Sequence, residues 1–341
     1  MSYSKLNNIF DKYLKSHSDC FFVSNLDFAS NFLEKGTEKI NLFKIIEAKR
    51  VNLNLDEKVS KTESLDLVIK FLSSLNDNYL ENFKQAINNG GFIFENSSKV
   101  NGSYCEDGKC IIDLKGAIID STVILHEYFH LLNNENSKLA PIFTEAVSIY
   151  MENKFLDFLI ETGYSRLDVA KIRMIRYFNF YRTNDELSFK VPFLNLKKKL
   201  GHLDEDSYIF ISRYSKELNF PNMPKENFLY FLEHLDEVIQ KEDKDGKEFE
   251  PDYIFQYYLG TAYSSYLLMQ DNSLDKVLAL NEYMMQPTEI TNIETAFKIL
   301  GIRNKDDMSF IEATNEYYQK EALIYKNNNS KQLNKENTLH T

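Results

Sequence analysis

Two histidines four residues apart, with a glutamate directly after the first, form the richest chemical pattern in the chain: His126-Glu127-Tyr-Phe-His130. On a helix, positions i and i+4 share one face. Both imidazoles can therefore converge on one metal ion, with Glu127 in reach of a water activated there. The chain has only six histidines, so the pattern is not a by-product of a histidine-rich composition. The plainer alternative is a pair of half-buried structural histidines. Residues 121–132 read Ser-Thr-Val-Ile-Leu-His-Glu-Tyr-Phe-His-Leu-Leu, apolar nearly everywhere except at the motif positions. An imidazole or carboxylate buried there without a partner is costly, and a metal satisfies all three groups at once.

A catalytic zinc takes three protein ligands and keeps a fourth position open. His126 and His130 supply two. Glu145, fifteen residues after His130, is the best-placed third, with Glu135 in the intervening polar loop as the alternative. Glu152 follows Glu145 by seven residues, two helical turns, and shares its face. It either orients a ligand histidine as a hydrogen-bond acceptor or is an exposed helix carboxylate. Glu127 is then the general base for a metal-activated water attacking a carbonyl. The developing oxyanion needs a further donor. Segment 252–260, Asp-Tyr-Ile-Phe-Gln-Tyr-Tyr-Leu-Gly, offers Tyr253, Tyr257 and Tyr258, although a tyrosine stripe on a helix ordinarily belongs to a core.

These residues need elements to hold them. Leu65, Val68, Ile69, Leu72, Leu75, Tyr79, Leu80 and Phe83 recur at helical spacing and predict one helix over 63–88, stopped by Asn88-Asn89-Gly90-Gly91. The period then changes. Short strands are predicted at 92–94, 100–105 and 110–114, the last two joined by an Asp107-Gly108 turn. The motif helix follows over 118–132, and Pro141 opens the helix that carries Glu145. Further helices are predicted at 165–181, 205–217, 225–241, 252–270, 274–284, 289–300 and 307–325, with a charged linker from Lys241 to Asp252. The hairpin before the motif is expected to lie along the motif helix and to offer an edge strand to an extended peptide. The fold class is mainly α with a small β-sheet next to the active site (α+β). Three parts are expected: a helical segment over 1–60 to which no chemistry attaches, a catalytic domain over 61–326, and a disordered Asn/Lys/Ser-rich tail over 327–341.

Composition narrows the rest. Hydrophobic residues make up 43% of the chain, with 26 Phe and 21 Tyr in place of the missing Trp, so a real core can form. A net charge of -11 argues against a nucleic-acid or anionic-membrane partner. No apolar run reaches the length of a membrane span, and the N-terminus lacks the basic start and apolar core of a signal peptide. Three cysteines are too few for a disulfide framework and suggest a cytoplasmic location. Cys105 and Cys110 can face each other across the hairpin as a disulfide or as two thiols. A reducing compartment favours thiols, and their spacing is wrong for a two-residue zinc knuckle.

Four blocks, in order, resemble the thimet oligopeptidase and oligoendopeptidase F family of zinc metallopeptidases. They are Lys99-Val-Asn-Gly102-Ser-Tyr104, the zinc motif with Asp120 six residues before it, Ile142-Phe-Thr-Glu145-Ala-Val-Ser-Ile-Tyr-Met-Glu152, and Tyr253-Ile-Phe-Gln-Tyr257-Tyr258-Leu-Gly260. The resemblance spans roughly residues 63–270. It implies a zincin-like catalytic domain holding one Zn2+ on His126, His130 and Glu145, a peptide substrate, and Tyr253 and Tyr257 assisting the transition state. The chain departs from the family at three points. Phe129 stands where a glycine usually precedes the second histidine, the stretch between His130 and Glu145 is short, and the histidine before the tyrosine-rich helix has no counterpart in Lys-Glu-Phe-Glu-Pro-Asp (247–252). The implied function is a zinc endopeptidase or oligopeptidase. The alternative is a catalytically inactive metallopeptidase-like protein that binds a peptide or protein partner.

Overall fold

A computed structural model describes residues 3–40, 58–96, 102–133, 141–218, 220–286, 292–303 and 307–339. The elements run α1 (Ser4–Ser16), α2 (Phe21–Ser24), α3 (Leu26–Lys39), α4 (Lys61–Leu75), α5 (Asp77–Asn88), β1 (Phe92–Asn96), β2 (Tyr104–Glu106), β3 (Lys109–Leu114), α6 (Ile119–Asn133) and α7 (Pro141–Glu161). They continue with α8 (Arg166–Leu200), α9 (Ser207–Leu218), α10 (Lys225–Lys244), α11 (Pro251–Leu268), α12 (Ser273–Met284), α13 (Ile293–Leu300) and α14 (Ser309–Leu339). The fold is mainly helical with one small sheet, as the sequence periodicity predicts. Among the described residues no helix is long and apolar enough to cross a membrane.

Contacts divide the chain into two units. The first comprises 1–40, 180–258 and 306–311; the second comprises 41–179, 259–305 and 312–341. This division differs from the boundary at residue 60 expected from the sequence. In the first unit, Phe32 and Phe180 pack on Tyr258 with ring centroids 6.0 and 4.7 Å away. The second unit contains the sheet and the motif helix.

Helix α4 starts at a capping box. The Ser60 hydroxyl accepts from the Glu63 N–H at 3.3 Å, and the Glu63 carboxylate accepts from the Ser60 N–H at 2.8 Å. The single helix expected over 63–88 is two. Asn76 is extended (φ -169°, ψ 135°), and its side-chain oxygen caps α5 by accepting from the Asn78 N–H at 2.8 Å. An asparagine that caps competes with one that continues a helix, and here the cap wins.

The sheet order is β1-β3-β2, with β1 parallel and β2 antiparallel to β3. Asp107 (φ 48°) and Gly108 (φ 70°) take the positive φ values that a tight hairpin turn needs. That turn sets Cys105 opposite Cys110, and the two form a disulfide rather than the free thiols favoured above. The reason is local: directly opposed strand positions bring their Cβ atoms close enough for a disulfide to bridge them. Strand β3 is enclosed by β1 and β2, so the sheet's outer edges are those of β1 and β2, and the open edge of the hairpin is that of β2, which pairs with no other strand among the described residues. Both hairpin strands pack on α6.

Two helices run far past their expected ends. Helix α8 continues beyond 181, through Pro192, to Leu200. An internal proline costs about 3 kcal/mol; burial of Leu187, Val191, Phe193, Leu194 and Leu196 outweighs it. Helix α14 runs to Leu339, through the tail expected to be disordered. Once its first half is anchored by buried Phe310, Ile311 and Tyr318, propagation adds one hydrogen bond per residue without a new nucleus.

Candidate metal centre

Helix α6 is buried along most of its length, with His126 and Glu127 among apolar neighbours. Asp120 ties its start to β3: the buried carboxylate accepts from the backbone N–H groups of Lys115 (2.9 and 3.1 Å), Gly116 (2.7 Å) and Ala117 (3.4 Å). The opposite flank is fixed by Tyr128, whose hydroxyl donates to the Tyr79 carbonyl at 2.6 Å. Phe129 is fully buried with its ring 5.8 Å from that of Tyr79. At the C-terminal end, Asn133 donates to the Phe129 carbonyl (2.8 Å) and to Asn281 (3.0 Å). The histidine pair thus sits on a helix held at its start, flank and end.

His126 and His130 turn to one side of α6 with their Nε2 atoms 2.8 Å apart. Glu145, on the adjacent α7, offers one oxygen to each: Oε2 lies 3.6 Å from His126 Nε2 and Oε1 lies 3.3 Å from His130 Nε2. Tetrahedral zinc ligands at about 2.0–2.2 Å stand roughly 3.3–3.6 Å from one another. The two carboxylate–imidazole separations match that spacing, while the 2.8 Å between the imidazole nitrogens is shorter, so the imidazoles would have to part slightly to share one ion. Two facing imidazole nitrogens and a carboxylate, all largely shut off from water, are electron-rich atoms that a cation would hold together. Glu135, the alternative ligand, lies outside the described residues.

Glu152 is not an exposed carboxylate. It is 1% exposed, ion-pairs through Oε1 with His126 Nδ1, and meets Arg176 Nη2 at 2.5 Å through Oε2. Such an outer carboxylate fixes the tautomer of a ligand histidine and turns its Nε2 toward the centre. Burial alone would lower the His126 pKa; Glu152, followed by Glu145 and Glu127, overrides it and lifts the metal-free imidazole to about 9. Glu127 is 5% exposed, and burial pushes its carboxyl above the ordinary range against the pull of both histidines. A raised pKa suits a group that must take up and release a proton near neutrality.

The approach of α11 to the site depends on Gly260. A Cβ built there would lie 2.7 Å from the Glu145 Cβ and 3.1 Å from the Ala146 nitrogen. Gly260→Ala must therefore displace α7 at Glu145, the candidate ligand. The expected result is a loss of about 1–3 kcal/mol in stability together with weaker zinc binding, read from thermal melts with and without zinc.

Tyr253 and Tyr257 belong to the first unit, whereas the three converging side chains belong to the second. The two tyrosine hydroxyls lie 3.0 Å apart, and Tyr253 is 49% exposed. Tyr258, the reserve donor, is a fully buried core residue whose phenol burial pushes up in pKa. Arg176 was not legible as a site residue: one arginine on a long helix carries no signal until Glu152 is seen beside it. The disulfide did carry one, in the turn that sets its register.

The fold has a recognisable neighbour. The crystal structure of a "putative peptidase" from Chlamydophila abortus superposes with a TM-score of 0.54 at 16% identity, over 87% of this chain and 55% of that one. The chain thus spans about half the length of that neighbour. No family model matches the sequence, and no curated protein does. At this identity the likeness defines the fold, which is that of a protein described as a peptidase.

Proposed function

We propose that the chain is a zinc-dependent endopeptidase or oligopeptidase of the thimet oligopeptidase and oligoendopeptidase F type. The observation that carries this reading is the convergence of His126, His130 and Glu145 beside a buried Glu127. The fold likeness to a protein described as a peptidase supports it. Zinc, when bound, supplies a Lewis acid that polarises a carbonyl and acidifies water. The chain's own residues do the rest. Glu127 takes the proton of the attacking water and passes it to the leaving amine. Glu152, backed by Arg176, keeps His126 oriented. The outer edge of β2 offers backbone groups to an extended peptide alongside α6.

Tyr253 and Tyr257 are the proposed donors to the oxyanion. Phe at either position is expected to lower kcat about 10²-fold, with KM nearly unchanged because the phenol acts on the transition state. Steady-state kinetics on one cleaved peptide checks this.

The test of the whole reading is metal analysis of the purified protein paired with cleavage of a broad peptide library. One zinc per chain and chelator-sensitive hydrolysis are expected. Tightly bound zinc with no cleavage makes the second reading the better one: a metallopeptidase-like protein that binds a peptide or protein partner. The missing family histidine at 247–252 favours that second reading.

A further inference from the structure

We propose that the reduced protein carries a second metal site, built from Cys105, Cys110 and Glu127, that takes a thiophilic divalent cation such as Zn2+ or Cd2+. The two sulfurs and one Glu127 carboxylate oxygen all lie within 4.8 Å of one another. Cys110 and Glu127 are buried, while Cys105 is half-buried and gives the group an approach from solvent. Both sulfurs also sit 3.2 Å from the Glu127 carbonyl oxygen. The hairpin therefore rests on α6 at the very residue whose side chain meets the sulfurs. Two thiolates and a carboxylate are good zinc ligands, and they leave a fourth position for water.

The disulfide form cannot hold the cation, because neither sulfur is a thiolate. A phosphine cleaves the S–S bond. Water supplies the oxygen of the phosphine oxide and the two hydrogens of the new thiols. The cation then replaces both thiol protons, forming two metal–sulfur bonds and releasing two protons. The tight Asp107-Gly108 turn keeps the thiols opposed after the bond is broken. A cation bound there occupies the Glu127 carboxylate and withdraws it from proton transfer. That last consequence rests on the peptidase reading; the metal count does not.

The experiment uses the full chain, freed of metal, in its disulfide form and after phosphine reduction. Cys20 is free, so a rise from one to three titratable thiols marks complete reduction. Each form is titrated with Cd2+ alone. Bound equivalents and the thiolate-to-cadmium charge-transfer absorption are read. The reduced protein should bind one equivalent more than the disulfide form, and only the added equivalent should carry the band. Cys105→Ser, which keeps Cys20, should remove both. Glu127→Gln should weaken the added site at least about tenfold, in line with the sensitivity of metal sites to their surrounding groups. Equal binding by the two forms, with no band, overturns the proposal and leaves the disulfide as a plain staple. A band of undiminished affinity in Glu127→Gln overturns the three-residue assignment. The difference of one equivalent supports the proposal whether or not the histidine site fills. If the disulfide form binds no cadmium, the peptidase reading fails separately.

Discussion

In its disulfide form, Glu127→Gln protein is expected to bind zinc as the parent does and to hydrolyse peptides about 10²–10⁴ times more slowly. The substitution keeps the shape of the side chain and removes its ability to take a proton. Metal affinity should hold because the proposed ligands are the converging side chains of His126, His130 and Glu145, none of which changes. The buried position matters here: a neutral amide in a site that already raises the carboxyl pKa adds no uncompensated charge. Zinc content by metal analysis and kcat/KM on one peptide are the two measurements. Parent-like cleavage by the variant would show that the hydrolysis arises elsewhere.

Glu145→Gln is expected to lose both properties. An amide is a poor zinc ligand, and the change removes the charge that faces both imidazoles. Altering groups outside a coordination shell costs about 10–100-fold in affinity, so losing a ligand should exceed that. The isosteric amide should still pack against Gly260, so the metal-free variant should fold. The clean readout is thermal. Zinc at a thousandfold excess over its Kd stabilises a binding protein by about 4 kcal/mol; the parent's melt should rise on adding zinc and the variant's should not. A variant that loads zinc like the parent removes Glu145 from the ligand set. Together the two substitutions separate holding the metal from moving the proton.

The parts of the site that rest on local rules were legible in the sequence. Helical spacing brings His126 over His130, the periodicity after Pro141 turns Glu145 and Glu152 to one face, and Asp107-Gly108 marks the hairpin. What was not legible rests on choices between local rules or on distant partners. Asn76 can continue a helix or cap the next one, and only packing decides. Pro192 argues for a helix end until the buried residues around it are counted. Arg176 acquires meaning only through Glu152. The cysteines read as thiols from their number, whereas the strand register pairs them.

The clamp formed by Asp120 on Lys115, Gly116 and Ala117 limits how such a chain can change length over time. Each residue of an α-helix advances the chain by about 100° around its axis. One residue gained or lost between Leu114 and Ile119, if absorbed by the helix, would swing both imidazoles by that angle away from Glu145 and from the hairpin. Descendants of this chain should therefore keep that connection at constant length, with insertions and deletions accumulating in turns remote from the histidines, such as the one at Gly163 between α7 and α8.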